Sequence, residues 1–408
     1  MTQNKRAQIG LLMNVTIFPA HNGDSFLIET KGGTVVLIDG GYVSTYKEYI
    51  KPKLLELSKA NKNLSHLIVT HIDSDHISGV IKFIEENKQN EIIKVEDIWH
   101  NSYSQLKSIE DGLNFKGKTI DNLPINYLLK DGVDDIKNKN ISAVQGSTLA
   151  SLIKKFGYRI NAPFSKNNVS VDTKEHILSN DIAFKILSPN HDKLLELKKY
   201  WKRELYKKGY SSDENLTDFN EEVFEYILSL EKEKKRLMSK NVTAKSSMDI
   251  DNLSNEVFVE DETTTNGSSI AFVLEYKNLR ILFLGDAHPS VIVNSLKKHY
   301  TPDKFPVKFD LIKIAHHGSK NNTSPELLKY IDSENYVIST NGLSHNHPDP
   351  ETIARIINRK VEFTRKLYFN YSLNSNVSFK DKVLMEKYNY QIIESSNNQP
   401  LELSLSYE

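Results

Sequence analysis

From Val15 onward, apolar and polar residues alternate with a period near two. "VTIFPAHNGDSFLIETKGGTVVLIDGG" sets runs of β-formers around Asn22-Gly23 and Gly32-Gly33, which predicts consecutive hairpins. "YKEYIKPKLLELSKA" changes to a helical rhythm, "LSHLIVT" is an apolar run of strand length, and "SGVIKFIEEN" returns to helical spacing. The polar stretch "HIDSDH" separates that strand from that helix, whose start is predicted near Ser78-Gly79. Strand, polar loop, helix is the arrangement in which α/β proteins bind ligands.

"IIKVEDIWH" predicts a further strand ending at His100, after which the pattern loosens. Residues 101–265 read as an insertion holding one core strand, about 181–188, and an αα-hairpin, about 191–240. The hairpin's first arm puts Leu194, Leu197, Trp201 and Leu205 on one face, and the polar "VEDETTTNGSS" reads as a loop back to the core. The last third alternates again. "SIAFVLEY", "LRILFLGDA", "FDLIKIAHHGS", "NYVISTNG" and "KLYFNY" predict strands, with helices over "HPSVIVNSLKKHY", "SPELLKYI" and "HPDPETIARIINR". Residues 14–100 and 266–408 are thereby expected to form one framework of the α/β class.

The 408 residues include 38% hydrophobic and 26% charged, a globular balance. With 53 basic and 53 acidic residues, any polyanion binding has to come from a local patch. The absence of cysteine rules out disulfides, thiolate metal sites and cysteine nucleophiles. A metal would be held by His, Asp and Glu. No run of roughly 18 apolar residues occurs, so a cytoplasmic location without membrane contact is expected.

Four polar clusters share one context, each at the C-terminal end of a predicted strand: "HIDSDH", "GDAH", "HHGSKNN" and "SHNHP". Imidazoles and carboxylates converging from several strand ends are what a divalent ion with N/O ligands needs. In an extended loop His71 and Asp73 point one way, while Asp75 and His76 turn toward a second position, so six residues could serve two ions. A lone aspartate on a later strand end could bridge them. Taken singly the clusters have plain explanations: "HIDSDH" as a solvated turn, "GDAH" as a helix cap, and His100, His191 and His288 as surface or locally bonded histidines.

These residues resemble a known family. "HIDSDHISG" is similar to the H-x-[HD]-x-D-H motif of metallo-β-lactamase-fold hydrolases, with aspartate where histidine is usual. With "NGSSIAFVLEYKNLRILFLGDA", "LIKIAHHGSKNNTSPELL" and "SHNHP", the chain resembles the metallo-hydrolase domain of ComEC-type DNA-uptake proteins and their stand-alone bacterial relatives, some of them in antiphage defence cassettes. The resemblance implies a four-layer αββα sandwich with a largely helical insertion, and two divalent ions, Zn or Mn. It makes His71 and Asp73 ligands of one ion, Asp75 and His76 ligands of the other, and Asp286 the bridge. One of His316 and His317 completes the second site, with His317 expected as the ligand and His316 as a catalytic group. His100 is the candidate for the further histidine usual at the first site.

The same resemblance gives Asp39 the task of orienting the metal loop by hydrogen bonds. His347 would contact substrate or protonate the leaving group, and Ser319, Lys320 and Asn321 would contact phosphate oxygens. The activity implied is nuclease or phosphodiesterase action on DNA through a metal-bound hydroxide, with Asp75 or the metals poising the water and His347 or one of His316 and His317 assisting the leaving group. Two alternatives stay open. One is a hydrolase of a small cyclic nucleotide, lactone or phosphoester, and the other is a partner-binding subunit of a defence complex with a weak metal site, docking through the helical insertion. The tract Lys193–Tyr210, with seven Lys/Arg against two Glu and interleaved aromatics, fits either a nucleic-acid track or an amphipathic helix packed inward.

Overall fold

The computed structural model describes residues 13–106, 109, 149–174, 176–207, 249–343, 346–374 and 376–406. The first strands are β1 (Met13–Ile17), β2 (Phe26–Thr30), β3 (Val35–Ile38), β4 (His66–Ile68) and β5 (Ile98–Trp99). β1, β2 and β3 form the expected antiparallel meander, and β4 and β5 add in parallel. A second series follows: β6 (His176–Ser179), β7 (Ile182–Ser188), β8 (Ala271–Tyr276), β9 (Leu279–Phe283), β10 (Val307–Phe309), β11 (Leu311–Lys313), β12 (Ile331–Ser333), β13 (Asn335–Ile338), β14 (Arg365–Phe369), β15 (Tyr390–Glu394) and β16 (Leu401–Leu405). β16 returns to pair with β1, giving a six-stranded sheet of order β16-β1-β2-β3-β4-β5. The eight-stranded sheet runs β15-β14-β13-β11-β9-β8-β7-β6.

Alternation along the strands builds the layers, because successive side chains leave opposite faces. On β3, Val36 and Ile38 join an interior shared with Phe184, Phe272 and Phe283 of the other sheet. Val35 and Leu37 face outward and meet Leu54, Leu57, Phe83 and Ile84 from helices. On β8 and β9, Phe272, Leu274 and Ile281 point to the same interior, whereas Val273 and Leu282 meet Ile292, Leu296, Ile353 and Ile356. Helices, sheet, sheet, helices make a mixed α/β sandwich of four layers. Among the described residues no helix is long and apolar enough to cross a membrane.

Within the span expected as an insertion, β6 and β7 form a hairpin on the edge of the larger sheet, where a single strand was expected. The helix Leu149–Phe156 and Leu194 and Leu197 of the helix His191–Lys207 pack into the outer core of the first sheet. That second helix is the first arm of the expected hairpin. Its side chains beyond Tyr200, and the second arm, lie outside the described residues.

The helix after the polar cluster begins at Ser74, not near Ser78-Gly79. Asp73 holds an extended backbone at the N-cap, so Asp75 and His76 ride on the first helical turn. Close packing fixes this start: Gly79 donates its N–H to the Gly41 carbonyl, and a Cβ on Gly79 would lie 2.0 Å from the Gly40 oxygen.

Candidate metal centre

β3, β4, β9, β11 and β13 all deliver their C-terminal ends to one edge of the sandwich, since β3–β4 and β9–β11–β13 are parallel. Asp39 follows β3, His71 follows β4, Asp286 follows β9, and His316 and His317 follow β11. Asp39, His316 and His317 have φ of 56°, 45° and 55°. Non-glycine residues in this left-handed region are strained by roughly 1–3 kcal/mol each, and such outliers cluster at functional sites.

Asp39 is buried and acts as the buttress. Its carboxylate accepts from Thr70 N–H at 2.8 Å, from Thr70 Oγ1 at 2.7 Å and from His76 Nδ1 at 2.8 Å. With Nδ1–H given to Asp39, His76 presents Nε2 to Asp286 Oδ2 at 3.7 Å. His317 follows the same logic. Its Nδ1 donates to the Ser339 carbonyl at 3.0 Å, and Nε2 faces Asp75 Oδ2 and Asp286 Oδ2, both at 3.7 Å.

His71 Nε2 stands 3.1 Å from Asp73 Oδ2 and 3.6 Å from Asp286 Oδ2. His316 Nε2 reaches the same Asp286 oxygen at 3.9 Å, its Nδ1 lying 2.9 Å from Asn322 Oδ1. Four imidazoles therefore aim at one carboxylate oxygen. Neither oxygen of Asp286, nor Nε2 of His76 or His317, has a hydrogen-bond partner among the described residues. Buried polar atoms are normally paired, and a divalent cation is the group this donor set fits.

Two overlapping sets of ligand atoms lie within 4.8 Å of one another: His71, His76 and Asp286, and Asp75, His76 and His317. A third set, Asp24, Asp39 and His76, is built on the Asp39 buttress. Electrostatics point the same way. Burial pushes the His76 imidazole down, but Asp286, Asp39 and Asp75 outweigh it and raise its pKa to about 10. Carboxylates that pull a proton this strongly pull a metal cation too. Burial raises Asp286, yet His316, His317, His76 and His71 hold it well below the ordinary carboxylate range. Burial lowers His316 to about 4, favouring a neutral ring with a lone pair to give.

His347 lies beside this group, its ring 5.4 Å from that of His316 and its Nδ1 3.5 Å from Asp349. His100 is buried at the end of β5, where its backbone exchanges hydrogen bonds with Asn161. It belongs to none of the three sets among the described residues. Of the three residues expected on phosphate, Ser319 is buried and its Oγ accepts from Asn321 N–H at 3.2 Å. The Lys320 ammonium sits on Glu351 at 2.6 Å and Glu256 at 3.5 Å, and the Asn321 carbonyl accepts from Asp261 N–H at 3.0 Å.

Several members of the site were not foreseen. Asn22 donates to Asp75 Oδ2 at 2.9 Å, and Tyr42 OH donates to Asn22 at 3.1 Å. Gly23 lets this loop close on the metal loop, because a Cβ there would fall 1.9 Å from the Asp75 carbonyl oxygen. Asn322 spans Asp261, the Asp286 carbonyl and His316. Lys313 and Asp24 form a buried ion pair behind Asp286. The available signal for Lys313 was a lysine inside the apolar run "DLIKIA"; Asn22 and Asp24 were hidden in what reads as a hairpin turn.

Residues 19–133 match the model of the metallo-beta-lactamase superfamily. No curated protein matches it. Among solved structures it is similar to the metallo-beta-lactamase fold protein YhfI from Bacillus subtilis, at 10% identity and a TM-score of 0.34, over 96% of this chain and 100% of that one. Zn(2+)-bound PqqB from Methylobacterium extorquens aligns at 9% identity and 0.36, over 96% and 100%. A long form RNase Z from yeast aligns at 12% and 0.34, over 95% of this chain and 44% of that one. Likenesses this loose say nothing of this chain's chemistry.

Proposed function

We propose that this metallo-beta-lactamase superfamily domain is a divalent-metal-dependent phosphodiesterase of the ComEC-type group, with DNA as its substrate. The observation that supports it is the convergence of four imidazole Nε2 atoms on Asp286 Oδ2, with Asp75 Oδ2 facing the same space. His71, Asp73, Asp286 and His316 would hold one ion, and Asp75, His76, His317 and Asp286 the other. Bound there, a pair of divalent ions supplies an activated water and charge neutralisation for an in-line displacement at phosphorus.

The chain's own residues do the rest. Asp75, whose Oδ2 accepts from Asn22, would take the proton of the attacking water. His347, with Nδ1 3.5 Å from Asp349 and its ring 5.4 Å from that of His316, would give the leaving oxygen its proton. Asp39 and Ser339 keep the ligating rings in one tautomer.

The test is cleavage of plasmid and single-stranded DNA by the purified chain with Mn or Zn. Activity should vanish on chelation and fall by roughly three orders of magnitude or more in Asp75→Ala. Failure to cleave any nucleic acid under several metals would overturn the DNA reading. One observation favours a second reading, a small phosphodiester such as a cyclic nucleotide: Glu256, Asp349 and Glu351 surround the Lys320 ammonium or backbone, making that rim a poor landing for a polyanion. Hydrolysis of a cyclic dinucleotide or of bis-p-nitrophenyl phosphate without DNA cleavage would select it.

A further inference from the structure

The two oxygens of Asp286 face different partners. Oδ2 meets His71, His76, His316 and His317 at 3.6, 3.7, 3.9 and 3.7 Å, whereas Oδ1 faces the Lys313 ammonium at 4.0 Å. Lys313 ends the central strand β11, is buried, and donates to the Gly285 carbonyl at 3.2 Å. Its strongest partner is Asp24, from the β1–β2 loop of the other sheet. Asp24 also lies 3.5 Å from His317 Nδ1, and its backbone N–H donates to the Asp75 carbonyl at 3.3 Å. One buried ion pair therefore touches the surroundings of Asp75, His317 and Asp286 together.

Burying a charge is costly unless it is paired, and an ion pair of this kind adds little stability over apolar residues of the same volume. Its position accounts for it better. Asp24, Asp39, Asp73, Asp75 and Asp286 all have carboxylates buried in this one region, and Lys313 is the cationic side chain that the described ion pairs put among them.

Resting on the metal reading above, we propose that Lys313, clamped by Asp24, is a positioning residue of the metal centre. It draws Asp286 Oδ1 to itself and so commits Oδ2 to the imidazole cluster, which would set how tightly the centre holds its ions.

The test uses the full chain, metal-free and then titrated calorimetrically with Mn2+ alone, with the visible spectrum of the Co2+-loaded protein as the second readout. Lys313→Met keeps length and removes charge. It should weaken metal binding roughly 10- to 100-fold, as loss of groups that orient ligands does, and alter the Co2+ bands while the circular dichroism stays that of wild type. If leaving Asp24 unpaired prevents folding, the double variant Asp24→Asn with Lys313→Met removes both charges and should show the same weakening in a folded chain.

A folded variant with wild-type affinity and an unchanged Co2+ spectrum overturns the proposal and leaves the pair as a stitch between sheets. Wild-type protein that binds no ion overturns the metal reading itself, a different outcome.

Discussion

His76 belongs to all three ligand sets and donates to Asp39 at the same time, so its ring must be held by one nitrogen to be offered by the other. Asp39 does this while also gripping the loop at Thr70, through both the backbone N–H and the hydroxyl. Replacing it with asparagine keeps the shape but puts an amide NH2 where one of those donors points, and the repulsion would turn either Thr70 or His76. Asp39→Asn should therefore lower metal affinity about 10- to 100-fold with a folded chain by circular dichroism. Unaltered metal binding would show that the ring is held by packing alone. The order "HIDSDH" makes the ligand types readable without coordinates, since imidazole and carboxylate at strand ends have few other uses. Asp39 apart, the partners that orient them were not readable, because Asn22 lies 53 residues from Asp75, and Asn322 lies 36 from Asp286 and 61 from Asp261, so folding and not local spacing brings them together.

The helix Ser74–Asn90 carries Asp75 and His76 on its first turn, and two glycine-bearing segments bring it against the loop after β3. A methyl group on Gly79 would meet the Gly40 oxygen at 2.0 Å and the Tyr42 oxygen at 2.9 Å. Gly79→Ala would push the helix outward, at a cost of about 1–3 kcal/mol for overpacking, seen as a lower urea midpoint. Because the displaced turn holds two proposed ligands, metal affinity should fall along with stability. A stability loss with unchanged affinity would mean the turn is held from the Asp39 side instead. The sequence marked the strand and the helix by their rhythm. It misplaced the junction because the apolar spacing begins only at Ile77, while the first turn is polar for reasons of chemistry. The same conflict hid Lys313: a strand residue of the interior edge that is charged reads as solvent-facing until the opposing Asp24 is seen. Strand periodicity likewise located β7 but not β6, whose Leu178 is exposed and whose pattern is polar.

At the scale of the molecule, the two sheets meet through an apolar interior along most of their area and through the polar centre at one edge. One titratable ring lies in the interior itself. His66 on β4 faces across to Ser179 of β6 at 2.7 Å and packs on Trp99 and Phe184, with ring centroids 5.1 and 5.4 Å away. Burial first, and the Arg159 charge second, lower its pKa to about 4 from 6.5. The unfolded chain thus binds a proton between these values that the folded chain refuses. Its contribution to stability is full above pH 6.5 and is lost as the pH falls through about 4, an effect on the order of 3 kcal/mol at most. His66→Gln keeps a hydrogen-bonding group for Ser179 without the titration. Urea unfolding at pH 7.5 and at pH 4.5 should show the wild type losing more stability between the two than the variant does, the difference isolating this ring from the carboxylates and imidazoles of the metal centre. Equal losses would mean that the sheets part locally in acid and let water reach His66 before the molecule unfolds.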